Sequence, residues 1–275
     1  MSETFALSAY DAFIFDLDGT IWLSGAPLPG AAAFVERCRA FGPVVYASNL
    51  SIPPIAEVAR DLMSCGVATS ADNVVISGIT IAAALARDGV REAAMVTGPG
   101  AKDAAERLGI TVVDINHVDQ AEWIANPDGR ACVIAGWYEA TMHEINAAGW
   151  LASNGVKLYV KTMDPGLPLT IGFEPGTGMM IAAIEALYDV TYEICGKPSP
   201  IFADTVRSFC PDAKRPLMIG DSRESDVGLA EILGCESLFL TRHKLAPSDV
   251  RPVAGVPTPT YAATGLDDPN PVAVK

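Results

Sequence analysis

Short apolar runs alternate with stretches of helical periodicity along most of the chain. Ala12-Phe13-Ile14-Phe15 is an unbroken apolar run stopped by acids, and Val44-Val45-Tyr46-Ala47 is a second. Both predict strands buried on two faces. Between them, Ala31 to Ala40 carries Phe34, Val35 and Cys38 at helical spacing, and Ile55 to Cys65 predicts another helix with Pro53-Pro54 at its start. The alternation returns late, with helix over Ser199 to Phe209, strand over Leu217 to Ile219, helix over Ser225 to Leu233 and strand over Ser237 to Leu240. Strands alternating with helices predict βαβ units and a parallel sheet covered on both faces.

The middle of the chain has its own alternation. Strands are expected over Ala93 to Thr97, Ile110 to Val113, Cys132 to Ala135 and Leu158 to Lys161, and helices over Ala101 to Leu108, Thr141 to Ser153 and Gly178 to Leu187. That is enough for a second, smaller α/β domain, read as an insertion that splits the first. The expected organisation is a core over residues 1–78 and 191–275, with the inserted domain at 79–190. The final segment holds Pro247, Pro252, Pro257, Pro259, Pro269 and Pro271 and predicts irregular chain packed on the surface.

Composition narrows the function. A chain of 275 residues suits two domains or one large one, and a net charge of −14 argues against nucleic-acid binding and against an anionic membrane surface. The longest stretch without a charged residue, Phe41 to Ala56, is interrupted by Gly42, Pro43, Asn49, Pro53 and Pro54, so no membrane-spanning helix is expected. The N-terminus lacks a basic region and carries Glu3, unlike a signal peptide. Six scattered cysteines with no C-x-x-C pair fit a reduced cytoplasm better than a disulfide or zinc framework.

The chemistry concentrates where strands end. Asp16-Leu17-Asp18-Gly19-Thr20 follows the first apolar run, at the edge where open α/β sheets place their sites. A calcium loop counted from Asp16 fails, because Ile21 falls at its glycine position and Pro27 at its glutamate position. A polar turn and a nucleophilic carboxylate with an acid/base partner and a hard metal ion both remain. Asp221, in Gly220-Asp221-Ser222-Arg223-Glu224-Ser225-Asp226, also follows an apolar run. Asp221 or Asp226 could cap a helix, or join Asp16 and Asp18 in an oxygen-rich cluster of the kind magnesium prefers. Ser48-Asn49 offers a hydroxyl and an amide to phosphate oxygens, or simply makes a turn. Lys197, in Gly196-Lys197-Pro198, offers a positive charge to a phosphoryl group, or is a surface lysine.

Taken in order, these motifs resemble the haloacid dehalogenase superfamily, in its NagD-like branch (subfamily IIA). The matching residues are Asp16-Leu17-Asp18-Gly19-Thr20, Pro29-Gly30-Ala31, Ser48-Asn49, Gly196-Lys197-Pro198-Ser199-Pro200, and Gly220-Asp221 with Ser225-Asp226. The resemblance implies a Rossmann-like parallel-sheet core with an inserted α/β cap, and a magnesium-dependent phosphatase of a small phosphorylated metabolite. Asp16 would be the nucleophile and Asp18 the general acid/base. The Asp16 carboxylate, the Asp18 backbone carbonyl and Asp221 would hold magnesium, with Asp226 supporting its water shell. Ser48, Asn49 and Lys197 would bind the phosphoryl group, and Lys197 would also hold Asp16 in place. An acid two places after the nucleophile serves an alkoxide leaving group rather than a halide, which favours phosphate esters over haloacids. The cap would select substrate and could form a homodimer interface.

In the cap the pattern departs from the branch. Thr162-Met163-Asp164 replaces Asn-Pro-Asp, Gly136-Trp137-Tyr138-Glu139 replaces Gly, an apolar residue and Asp, and Leu50 stands where a second Asn is common, while Gly176-Thr177-Gly178 keeps the usual small-residue turn. A phosphotransferase, a phospho-aspartate receiver and a catalytically silent phospho-ligand-binding protein are the competing readings. Gly98-Pro99-Gly100 lacks the third glycine of a dinucleotide loop, having Asp103 there. His117, His143 and His243 form no motif. Trp123, Trp137 and Trp150 are expected in the cap core, and Trp22 could line the cleft.

Overall fold

The computed structural model describes residues 5–168, 173–241, 252–268 and 271–274; Glu3, His243, Pro247 and Pro269 lie outside them. The chain packs into two compact units. One comprises Met1–Ser48, Ile55–Val75 and Lys197–Lys275, the other Asn49–Pro54 and Ile76–Gly196. Two of the boundaries pass between Ser48 and Asn49 and between Gly196 and Lys197, inside two of the sequence motifs.

The first unit is built on a seven-stranded sheet. Its strands are β1 (Ala12–Phe15), β2 (Val44–Ser48), β3 (Val74–Ile76), β4 (Pro216–Gly220), β5 (Glu236–Leu240), β6 (Tyr261–Ala263) and β7 (Val272–Ala273). They lie in the order β7-β6-β5-β4-β1-β2-β3. β1 pairs parallel with β4 and β2, and β4–β5 and β5–β6 are also parallel; only β7 is seen to run antiparallel to its neighbour. Every residue of β1, β2 and β3 is buried, as expected of strands covered on both faces. On one face Ala12, Ile14, Val45, Ala47 and Met218 pack with Phe202, Ala203 and Val206 of helix Pro200–Phe209 and with Leu229 and Ala230 of helix Gly228–Leu233. On the other, Phe15 meets Phe34 of helix Ala31–Arg39 edge-on, ring centroids 6.1 Å apart. The register sets Phe15 opposite Ile219 and Tyr46, so the residues that follow these positions share one edge of the sheet.

Two expectations for the first unit need correction. The proline-rich final segment is not all surface chain: Tyr261–Ala263 is a buried strand paired parallel with β5, and its three residues were too few to show a period. The expected helix from Ser225 is split. Arg223–Val227 is a π-helical turn, with Val227 N–H donating to Ser222 O at 3.2 Å, and the α-helix begins at Gly228.

The second unit has a five-stranded parallel sheet. Its order is Glu193–Ile194, Lys157–Val160, Arg130–Gly136, Glu92–Thr97 and Thr111–Val113. Its core joins Val96, Ile134 and Val160 of the sheet to Ile145, Leu151, Ile181 and Ile184 of the helices Met142–Ser153 and Thr177–Glu185. Thr141 caps the first of these in a full capping box with Glu144. Trp123 is in this core, but Trp150 is exposed and Trp137 half-buried, contrary to the expectation for all three. His117 and His143 are exposed. The Gly98-Pro99-Gly100 turn has a packing role: a Cβ on Gly100 would overlap the Pro53 carbonyl, and Gly100 N–H donates to Ile52 O at 2.7 Å. No helix among the described residues is long and apolar enough to cross a membrane.

Candidate active site

Three chain segments deliver the site residues to the carboxyl edge of the core sheet. Asp16 directly follows β1, and its N–H continues the ladder by donating to Ile219 O at 2.9 Å. The chain then turns sharply, with Leu17 O accepting from Thr20, Ile21 and Trp22 N–H and Gly19 at φ +83°. Asp221 directly follows β4. Ser48 ends β2 and is buried.

Lys197 comes from the segment entering helix Pro200–Phe209. Ser199 caps that helix by accepting from Phe202 N–H at 3.3 Å, and Pro200 stands in its first turn, so the chain is fixed immediately after the lysine. The lysine is not on the surface. Its side chain is 1% exposed and donates to Asp16 Oδ1 at 2.6 Å, Asp226 Oδ1 at 2.7 Å and Ala47 O at 2.7 Å. Burial alone would push the ammonium down, but the charges of Asp16 and Asp226 outweigh it and hold the lysine above its ordinary value.

Asp16 is buried with its carboxylate against Lys197. Burial raises its carboxyl well above the usual range; Lys197 pulls it down, while Asp226 and Asp221 push it up again. One carboxylate oxygen from each of Asp16, Asp221 and Asp226 lies within 4.8 Å of the others. Asp226 is fully engaged: Oδ1 accepts from Lys197, and Oδ2 from Ser222 N–H at 3.0 Å. Gly220 is required there, because a Cβ would overlap the Asp226 carboxylate. Neither Asp221 nor Asp226 caps the following turn; Ser222 does, accepting from Ser225 N–H at 3.1 Å.

Asp18 is placed differently. Its carboxylate is exposed, and Oδ1 accepts from Trp22 Nε1 at 2.8 Å. Loss of solvation by the surrounding protein raises its carboxyl above the usual range, against the lowering pull of the Trp22 hydrogen bond and the Lys197 charge. Trp22 is thus a buried partner that orients Asp18. Asn49 belongs to the second unit, where its Oδ1 accepts from Ser77 Oγ at 3.1 Å.

The structure therefore brings Asp16, Asp221, Asp226 and Lys197 into one cluster and turns the Asp18 carboxylate toward Trp22. The Ala47 carbonyl, the capping Ser222 and the Trp22–Asp18 bond were not anticipated. A backbone acceptor leaves no side-chain signal, whereas Ser222 at three residues before Ser225 was readable as a cap. Chemically, the cluster can hold a hard cation among carboxylates. It also presents a carboxylate fixed on one side by an ammonium, with a second carboxyl, raised above its usual range, nearby in the chain.

Family models agree with this architecture. Residues 13–111 match the haloacid dehalogenase-like hydrolase model, and residues 194–269 a second model of HAD-like hydrolases. The acid sugar phosphatase of Staphylococcus saprophyticus is 28% identical over 222 residues, 79% of this chain and 81% of the relative. The solved 4-nitrophenylphosphatase of Thermotoga maritima is 27% identical, with a TM-score of 0.80 over 95% of this chain and 97% of that one. A solved structure described as a NagD protein is 25% identical, with a TM-score of 0.77 over 94% and 96% of the two chains. The glycerol phosphate phosphatase of Mycobacterium tuberculosis, solved in complex with magnesium, shares the fold at a TM-score of 0.82, 24% identity, and coverage of 96% and 78%. With its motifs, its sheet order and these relatives in agreement, the chain belongs to the haloacid dehalogenase superfamily of hydrolases, as a NagD-like phosphatase.

Proposed function

We propose that the chain is a magnesium-dependent phosphatase that hydrolyses a small phosphate monoester through an aspartyl phosphate on Asp16. The observation that carries this reading is the buried arrangement of Asp16, Lys197 and Asp226 beside Asp221, at the end of adjacent parallel strands. Three carboxylates around a single buried ammonium hold excess negative charge, and an oxygen-only donor set of that kind fits a hard divalent cation. The Asp16 carboxylate, the Asp18 backbone carbonyl and Asp221 would hold magnesium, which when bound neutralises charge on the phosphoryl oxygens. Asp226, occupied by Lys197 and Ser222, suits a supporting place behind these ligands.

The chain's own residues do the rest. Lys197 fixes Asp16 Oδ1, and the other carboxylate oxygen attacks phosphorus in line as the ester oxygen departs. Asp18, whose carboxyl is kept protonated to higher pH than usual, gives that departing oxygen its proton. The resulting Asp18 carboxylate then takes a proton from the water that attacks the aspartyl phosphate, releasing phosphate and restoring Asp16. Ser48 and Asn49 would bind the phosphoryl oxygens, together with Lys197. The second unit takes the part of the cap, selecting the substrate.

Relatives named for sugar phosphate and glycerol phosphate hydrolysis support a phosphorylated sugar or polyol as the substrate class. The free state of all six cysteines suits a reducing cytoplasm. A panel of phosphate monoesters assayed with and without magnesium, with Asp16→Asn as the blank, tests the proposal. Magnesium-dependent phosphate release that Asp16→Asn abolishes is the expected result. Release that is indifferent to magnesium or to Asp16→Asn overturns it.

A further inference from the structure

Helix Ser77–Arg87 of the second unit opens on two fully buried hydroxyls, Ser77 and Thr80, that have no task in the chemistry proposed above. The helix gains no side-chain cap from the residue before it, Ile76, and Ser77 does not supply one. Instead Ser77 Oγ donates to Asn49 Oδ1 at 3.1 Å, and Thr80 Oγ1 to Cys195 O at 2.6 Å. Gly196 completes the arrangement. Its N–H donates to Lys161 O at 2.7 Å, and a Cβ on it would stand 2.7 Å from Asn49 Oδ1, so only glycine lets the chain pass this close to the amide.

The segment that carries Asn49 is held on its other side as well. Ser51, itself buried, donates from Oγ to Ala135 O at 2.6 Å. Ala101 and Gly100 N–H, in the first turn of helix Pro99–Arg107, donate to Ser51 O at 2.9 Å and to Ile52 O at 2.7 Å. With the neighbouring backbone fixed, what remains to be set is which end of the Asn49 carboxamide faces which way. The two ends have similar shape and opposite chemistry: the oxygen only accepts, and the N–H2 only donates. A phosphoryl oxygen is attracted by the second and repelled by the first. Alanine would suit the start of a buried helix better than serine, whose hydroxyl is costly to bury unless it is paired.

We infer that Ser77 is a positioning residue for phosphoryl recognition. By donating to Oδ1 it fixes the amide oxygen toward the helix and turns the N–H2 away from it, as the donor presented to the phosphoryl group. The inference rests on the proposed phosphatase chemistry, in which Asn49 binds phosphoryl oxygens. It adds that the Asn49 side chain, oriented by Ser77, carries part of that binding. Ser77 itself acts only through Asn49.

Inorganic phosphate titrated calorimetrically into the protein in the presence of magnesium, with Ser77→Ala, Asn49→Ala and the double variant alongside, tests this. Ser77→Ala should weaken phosphate binding about tenfold, the worth of one hydrogen bond, and should raise KM for 4-nitrophenyl phosphate more than it lowers kcat. The double variant should bind phosphate no more weakly than Asn49→Ala, because the serine acts only through the amide. Asn49→Asp keeps an acceptor for Ser77 but sets a carboxylate oxygen where the N–H2 stood, and should weaken phosphate binding by about a hundredfold or more. Unchanged phosphate affinity in Ser77→Ala, even with a lowered melting temperature, or losses that add in the double variant, would overturn the inference and leave the phosphatase proposal standing. Phosphate binding retained by Asn49→Asp would overturn it as well. Wild-type protein that neither binds phosphate nor hydrolyses a phosphate ester would instead bring down the phosphatase proposal, and the inference with it.

Discussion

Replacing Lys197 with methionine keeps the aliphatic stem and removes the one ammonium shared by Asp16 and Asp226. Its contacts at 2.6 and 2.7 Å are with side chains that are 9% and 2% exposed, so solvent screens them little. At an effective dielectric constant of about 20, each contact is worth about 6 kcal/mol of attraction before the cost of drying the ammonium is subtracted. The carboxylate oxygens of the cluster lie within 4.8 Å of one another. At such a separation two negative charges repel by about 3.5 kcal/mol, and in the variant the Lys197 ammonium no longer offsets that. Breaking a buried pair by deleting one partner costs about 3–5 kcal/mol, and urea unfolding of metal-free protein should show a loss of that size. Magnesium affinity, measured by calorimetry, should rise, because the cluster loses its competing cation. Turnover should nevertheless fall by about 10²–10³, the cost of deleting one preorganised electrostatic partner of the reacting group. A stability loss below about 1 kcal/mol, the worth of an exposed pair, together with unchanged turnover would refute the reasoning.

Three further outcomes follow from the same geometry. Asp18→Asn should cut hydrolysis of alkyl phosphates by about 10²–10⁴ while phosphorylation by 4-nitrophenyl phosphate, whose leaving group needs no proton, survives; equal losses in rapid-quench assays of both would contradict the acid role. Trp22→Phe removes the hydrogen bond that lowers the Asp18 carboxyl, so the alkaline limb of kcat/KM should move to higher pH, and a limb that stays or moves down counts against it. Asp16 is raised in the metal-free fold, first by burial, so the folded state binds its proton more tightly than the unfolded chain does. Metal-free stability contributed by this group is therefore lost as pH climbs from the ordinary carboxylate range through the raised value, and the stabilisation by magnesium should grow over that window. A magnesium increment in melting temperature that shrinks with pH would oppose this.

How much could be read beforehand depended on how far each signal was local. Ala12-Phe13-Ile14-Phe15 and Val44-Val45-Tyr46-Ala47 announced buried strands, because a parallel strand covered on both faces admits only apolar residues. Tyr261–Ala263 and Glu193–Ile194 did not, since two or three residues carry no period and are held by their neighbours in the sheet. Helix Ser77–Arg87 gives no clearer signal: its run of small and apolar residues is buried on several sides and lacks a polar stripe. At the site, Asp16, Asp221 and Asp226 were legible as acids beside strand ends. The environment of Lys197 was not: a lysine between two acids and a backbone carbonyl looks, in one dimension, like any surface lysine. The Asp18–Trp22 bond spans only four residues, but it depends on the turn around Gly19, which local composition permits without requiring.

The most direct measurement concerns the nucleophile. Asp18→Asn protein mixed with 4-nitrophenyl phosphate and magnesium, quenched in acid and analysed by intact and peptide mass spectrometry, should carry one phosphoryl group on Asp16, because the residue that activates the hydrolytic water is missing. Release of 4-nitrophenol with no adduct, or with the adduct on another residue, would contradict the account.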